Sequence, residues 1–273
     1  MKIHLNPEYE HLRPFVEKLA NPLFFARNGE TLHDGRNVIK RFEAGGVQLA
    51  VKSYARLTLC NRILYGTLRK SKAERAYLHA EKLCNLGIGT PEEVAVVETR
   101  RHGILRQSYF VSLHSDYLPL RPVTEAFPQS EEAKHVLDAV ACFLNRMHWA
   151  GILHRDLNIG NILYRQEPEG AYRFQVIDTN RMSFRHCLSM RQRLKNLRRL
   201  SCNALAYLYI LRQYARVVRS DEESVLLHGV VKRLLFEWRQ RTKRKVKDGL
   251  RGKGTKKRPD RNIVRITHIS SSL

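Results

Sequence analysis

The sequence predicts a two-lobed α+β fold, a small antiparallel β lobe followed by a compact helical lobe. Three observations predict it. Short strand patterns separated by Gly and Asn turns occupy residues 27–115, together with one helix. Longer segments with the helical apolar period occupy residues 116–238. Early in that second region, His154 to Leu163 places polar side chains in a loop bracketed by the apolar pairs Ile152-Leu153 and Ile162-Leu163.

In chain order, residues 1–26 are expected to be an N-terminal extension with Phe15, Phe24 and Phe25 as anchors. Strands follow at Thr31-Leu32-His33, Val38 to Phe42 and Val47 to Lys52, with turns at Asp34-Gly35-Arg36-Asn37 and Gly45-Gly46. Lys52 ends the third strand. After a basic segment from Arg56 to Lys72, a helix is expected from Ser71 to Asn85. Ser71 would cap it, and Ala76, Leu78, Leu83 and Leu86 would form its apolar side. It carries two acids, Glu74 and Glu81. Gly87 to Pro91 stops the helix. Val94 to Glu98 and Ser108 to Leu113 complete the strands, and His114, Ser115 and Asp116 would form a hinge.

The second region opens with a helix from Ser130 to Ala150. Its buried face is Val136, Leu137, Val140, Leu144 and Met147, and Glu131 and Glu132 sit favourably in its first turn. The loop that follows reads His154-Arg155-Asp156-Leu157-Asn158-Ile159-Gly160-Asn161. A hairpin turning at Glu167 to Gly170 then returns the chain to Asp178. An Asp and an Asn five residues apart, with a second Asp at a neighbouring strand end, is the arrangement that phosphoryl transfer from ATP requires. Asp156 would orient the attacking hydroxyl and take its proton, and Asn161 and Asp178 would hold Mg²⁺ on the phosphates. Lys52 would contact the phosphates and pair with an acid of the helix that follows it, Ser71 to Asn85. Glu74 is preferred over Glu81 because it lies well before the helix end. The two acids are seven residues apart and share a face, so periodicity does not separate them. Three more helices are expected at Ser189 to Leu200, Asn203 to Val218 and Asp221 to about Arg241. A mobile basic tail would run over residues 239–273.

Composition narrows the partners. Hydrophobic residues are 43% and charged residues 27% of the 273, an ordinary globular balance. The net charge of +23, from 49 Lys and Arg against 26 Asp and Glu, favours an anionic partner. Five scattered cysteines without a Cys-x-x-Cys pair argue against a disulfide or zinc framework and for reduced thiols. No signal peptide and no apolar run of spanning length are visible.

The chain resembles the lipopolysaccharide core kinases, the Kdo and heptose kinases of Gram-negative bacteria, which have a protein-kinase-like fold. The resemblance is carried by Asp34 to Lys40, Val51 to Tyr54, Arg69 to Arg75, Gly89-Thr90-Pro91, His154 to Asn161 and Ile177 to Met182, within about residues 27–200. It implies ATP and Mg²⁺ as cofactors, with Lys52, Glu74, Asp156, Asn161 and Asp178 in the roles above. It also implies a sugar hydroxyl of the lipid A–core oligosaccharide as acceptor. The chain departs from the protein-kinase pattern in having no Gly-x-Gly-x-x-Gly loop, with Gly29 and Gly35 alone available there. Thr179-Asn180 follows Asp178 in place of Phe-Gly, and no Ala-Pro-Glu element follows. The missing element leaves an open shelf, on which Arg155 is expected to be structural.

The expected protein is thus a cytoplasmic sugar kinase held at the inner face of the inner membrane, the basic tail attracting it to anionic lipid. An atypical RIO-like serine/threonine kinase on a ribosomal or nucleic-acid-bound target is the runner-up. A catalytically silent RNA-binding module is the third possibility, and nucleic acid is the less favoured partner.

Overall fold

A sheet with apolar residues on both faces needs cover on both, and this chain supplies it from two different segments. The structure, a computed structural model, describes residues 1–54 and 70–250. Strands β1 (Lys2–Leu5), β2 (Glu30–Asp34), β3 (Val38–Ala44), β4 (Val47–Ser53), β5 (Glu93–Arg101) and β6 (Ile104–Leu113) form one antiparallel sheet in the order β1-β5-β6-β4-β3-β2. Along β4, Leu49 and Val51 are fully buried on one face, while Ala50 and Lys52 alternate onto the other.

The face bearing Leu49, Val51, Ala95, Val97 and Val111 packs against Leu12, Phe15, Val16, Leu19 and Phe25. These come from helices α1 (Arg13–Lys18) and α2 (Pro22–Arg27) and the turns around them. Residues 1–26 are therefore not an extension. They contribute an edge strand, with Ile3 opposite Val97, and the cover for one whole face of the sheet. Lys40 is buried there, and its ammonium donates to the carbonyls of Ala26 and Asn28 at the C-terminal end of α2, where the helix dipole favours a cation.

The opposite face receives α3 (Lys72–Asn85) through Ala73, Tyr77, Val96 and Phe110. Ser71 caps α3, its hydroxyl accepting from Glu74 N–H at 3.0 Å. Leu86, expected on the apolar side, is the exposed C-cap residue instead. The basic segment from Arg56 lies mostly outside the described residues.

The second hydrophobic cluster is helical. The central helix α5 (Glu131–Trp149) follows the short β7 (Leu118–Pro119) and α4 (Arg121–Ala126), and its five expected core residues are all fully buried. It packs against α7 (Ala204–Val217), with α6 (Met190–Leu197) beside them. Leu194, Leu197 and Leu200 are core contacts, as expected. Strand β8 (Ile152–His154) pairs with β11 (Met182–Phe184), and β9 (Ile162–Gln166) with β10 (Tyr172–Val176). The loops joining these pairs carry Asp156, Asn161 and Asp178.

Sheet and helices are joined at Gly89-Thr90. Gly89 C=O accepts from Val176 N–H at 2.9 Å, and Thr90 Oγ1 donates to Val176 C=O at 2.8 Å. A Cβ on Gly89 would lie 2.2 Å from the Phe174 carbonyl oxygen, so no larger residue fits this approach.

Residues Met1–Arg233 form one compact unit, and a second begins at Leu234. The last helix, α8 (Glu222–Leu250), runs about nine residues past its expected end, so residues 239–250 are helical and not a mobile tail. Lys and Arg are good helix formers, and Arg241 pairs with Glu237 one turn earlier. The rest of the tail, 251–273, lies outside the described residues. Among the described residues no helix is long and apolar enough to cross a membrane.

Candidate active site

The loop between β8 and β9 is held by its own polar groups. Asn161 donates from Nδ2 to the Asp156 carbonyl at 2.9 Å, and Asn158 donates to the same oxygen at 3.2 Å. His154 is fully buried. Its Nδ1 accepts from Asp156 N–H at 3.1 Å, and Nε2 lies 3.0 Å from the Ile177 carbonyl. That pair of partners assigns the neutral tautomer with the proton on Nε2. Burial lowers the His154 pKa, the Ile177 carbonyl and the carboxylates of Asp178 and Asp156 opposing it more weakly. A neutral imidazole thus ties the backbone of Asp156 to the residue preceding Asp178. The Asp156 side chain is half-exposed, and its Oδ2 accepts from Arg181 Nη1 at 3.4 Å.

Asp178 adopts a left-handed conformation, φ 60°, uncommon outside glycine and asparagine. Its Oδ1 receives the Lys52 ammonium at 2.7 Å and the Asn180 amide. The residues after it connect to α3. Thr179 Oγ1 donates to the Ala76 carbonyl at 3.0 Å, and His79 Nδ1 lies 2.7 Å from the Thr179 carbonyl. Burial lowers the His79 pKa, as it does that of His154. Asn180 also donates to the hydroxyl of buried Tyr54, whose ring lies under the Lys52 ammonium at 5.5 Å. Thr179-Asn180 therefore does for this chain what an apolar anchor would do elsewhere: it docks the Asp178 turn onto the helix and strand above it.

Two cavities meet at Asp178. One is an apolar cleft of about 210 Å³ beneath the sheet, lined by Leu32, Ile39, Ala50, Phe110, Leu113, Leu163 and Ile177, with Lys52 and Asp178 also in its lining. The other, about 690 Å³, is bounded by Asp156 and Asp178 together with Arg36, Lys72, Arg75, Arg155 and Arg181. Burial first, then repulsion from Arg36, Arg75 and Arg181, lowers the Lys72 pKa, while Asp178 opposes it. A flat planar group fits the first cavity, and an anionic one suits the second.

The model of the lipopolysaccharide kinase (Kdo/WaaP) family matches residues 34–220. The chain belongs to the lipopolysaccharide kinase family. It is similar in structure to the solved "WaaP in complex with acyl carrier protein", at a TM-score of 0.58 and 21% identity, over 90% of this chain and 99% of that one. At that identity the likeness is one of fold, a two-lobed kinase-like α+β architecture. No curated protein matches the chain.

Within this kinase fold, Lys52, Asp156 and Asp178 line the two cavities that meet at Asp178, and Asn161 is tied to Asp156 through its amide. Glu74 does not join them. It lies in the first turn of α3 and pairs with Lys2 at 3.1 Å, while Lys52 pairs with Asp178. Glu81 is exposed and pairs with neither. The expected Lys52–Glu74 pair is thus absent, because β1 brings its own cation to Glu74. The hinge is also more occupied than expected, since His114 N–H donates to the Gln48 carbonyl at 2.8 Å. Arg155 is structural in its backbone alone, its N–H donating to the Arg181 carbonyl at 2.9 Å. Its guanidinium is exposed and makes no hydrogen bond or ion pair among the described residues. The sequence reasoning also missed Arg36, Arg181, His79 and Asn180. Arg36 sits in the β2–β3 turn where a glycine-rich loop was sought, and that turn offers a cation in place of backbone amides.

Proposed function

We propose that the chain transfers the γ-phosphoryl group of ATP to a sugar hydroxyl, of Kdo or heptose, in the lipid A–core oligosaccharide of lipopolysaccharide. The observation that carries this reading is that Lys52, Asp156 and Asp178 line an apolar cleft and a basic cavity that share Asp178, with Asn161 bonded to the Asp156 backbone. The cleft suits adenine, with its phosphates leading toward Lys52 and Asp178. Asp156 accepts a hydrogen bond from the sugar hydroxyl and takes its proton as the oxygen bonds to phosphorus and ADP leaves.

The donor set fits Mg²⁺. Asn161 spends its amide hydrogens on the Asp156 backbone, which leaves Oδ1 as a hard oxygen donor, and Asp178 already holds one cation, the Lys52 ammonium. Asn161 and Asp178 would hold the ion, whose charge offsets that of the phosphates. Family membership favours a sugar acceptor over a ribosomal or nucleic-acid-bound one.

The acceptor class and the charge of +23 together support a site of action at the anionic inner face of the cytoplasmic membrane. Each Lys or Arg near such a surface contributes about 1 kcal/mol, within a Debye length of about 8 Å. The test is phosphate transfer by the purified chain, with Mg·ATP, to lipid A–core in anionic vesicles, read as a mass gain of one phosphate. Truncation after Trp238 should raise KM for the vesicle-borne acceptor severalfold and leave a water-soluble core sugar unaffected. Transfer to protein or RNA-bound targets in place of the glycolipid would overturn the substrate assignment. Equal slowing of both acceptors by truncation would overturn the membrane assignment.

A further inference from the structure

A third cavity lies beside the catalytic loop and belongs to neither half of the site described above. It is a groove of about 290 Å³ whose lining includes Arg155, Arg185, Lys195, Arg198 and Arg199 and no carboxylate. Its floor is the β8–β11 pair, with Leu153 opposite Ser183, and α6 forms its wall.

The frame is rigid. Gly151, at φ 72°, lets the Arg185 backbone approach so closely that a Cβ there would lie 1.7 Å from the Arg185 carbonyl oxygen. Arg185 N–H donates to the Gly151 carbonyl at 2.9 Å. On the wall, buried Asn196 donates to the His154 carbonyl at 2.7 Å and lies 3.2 Å from His148 Nε2. Both sides of the groove are therefore fixed to the strand that leads into Asp156.

Arg155, Arg185 and Lys195 have no hydrogen-bond or ion-pair partner for their side chains among the described residues. Burial lowers the Arg199 pKa, the attraction of Asp156 opposes it, and weaker repulsion from Arg181 and Arg155 adds to the lowering. Arg155, Arg185 and Lys195 stand exposed beside Arg198 and Arg199 along one groove, and cations gathered on a fixed frame attract an anion. Arg155 lines both this groove and the basic cavity, whereas the apolar cleft shares no residue with the groove. The groove thus lies away from the nucleotide and next to the acceptor.

We propose that this groove, built from Arg155, Arg185, Lys195 and Arg199, is a second anion subsite that holds a phosphate group the acceptor already carries. The inference rests on the sugar-kinase reading and names what that acceptor must bear. A reaction that attaches the anion therefore precedes this one. An RNA strand suits the groove less well, because no aromatic side chain lines it for base stacking.

The experiment compares phosphate-bearing lipid A–core with the same acceptor stripped of its phosphates, using the full chain and the double variant Arg185→Gln/Lys195→Gln. Wild type should show a KM at least about tenfold lower for the phosphate-bearing acceptor, and the double variant should lose that preference through KM. In parallel, calorimetry on the ADP-saturated enzyme uses inorganic pyrophosphate as probe. Binding should be weakened about tenfold or more in the double variant, and in Lys195→Gln alone by a smaller factor. Equal KM values for the two acceptors in wild type would overturn the proposal, as would unchanged pyrophosphate affinity in the variants. Loss of RNA oligonucleotide binding with acceptor preference intact would overturn it in favour of nucleic acid. If no acceptor is phosphorylated at all, the sugar-kinase reading fails, and the pyrophosphate titration still decides whether the groove is an anion site.

Discussion

The two halves of the active site are built on different principles. The loop that carries Asp156 and Asn161 is closed by bonds between residues two to five apart, and one buried histidine ties it to the strand before Asp178. The half that carries Lys52 has no such local closure. Lys52 finds Asp178 across 126 residues, and the acid expected to meet it finds Lys2 across 72. A locally closed loop takes much of its geometry from its own residues. A cation on a strand takes whichever carboxylate the surrounding packing brings within reach.

That contrast predicts unequal sensitivities. The largest belongs to the loop: Asp156→Ala should lower kcat by on the order of 10²–10⁴ while nucleotide still binds, since the loop backbone is held without the Asp156 carboxylate. Steady-state kinetics beside a nucleotide titration would show it. An unchanged kcat would remove Asp156 from the chemistry.

The next effect is on stability and sits behind the loop. His148 is buried against Tyr214 and Asn196, and burial lowers its pKa from 6.5 to about 4. The folded state favours the neutral ring, so the unfolded chain binds the extra proton between these values. The contribution is whole above about pH 6.5 and is lost as pH falls through about 4, amounting to about 3 kcal/mol. His154 shifts in the same direction, so the comparison is with His148→Gln, which should flatten part of the acid limb in denaturant melts. An acid limb identical in wild type and variant would mean that His148 does not titrate on unfolding.

The smallest effect is the one that sharpens the contrast. Because Glu74 pairs with Lys2 at the surface, Glu74→Gln should change kcat by less than about threefold, the size of an exposed ion pair. A loss comparable to that of Asp156→Ala would show that Lys52 exchanges Asp178 for Glu74 during turnover.

Much of this was legible in the chain. Ser71 and Ser130 mark the expected starts of two helices, and both cap them, Ser71 as expected. The apolar period of α5 named five of its buried residues, because a 3.6-residue repeat leaves little choice of face. The His154 to Asn161 segment was expected as a polar loop between two apolar pairs, and it is one, closed in addition by its own hydrogen bonds. These features depend on neighbours along the chain, so the residues present suffice to specify them.

Other features depend on what lies nearby in space. Residues 1–26 carry no motif, yet the sheet has a second apolar face that something must cover, and these are the residues that reach it. Glu74 and Glu81 are equivalent by helical period, and the neighbouring edge strand supplies the partner of one. In the sequence Arg155 reads as structural and Arg185, thirty residues on, carries no signal. Pairing of β8 with β11 sets them on one groove with Lys195 and Arg199. Local periodicity and capping act over a turn or a strand and are written residue by residue. Charge pairing and face coverage are settled only when distant segments compete for the same space.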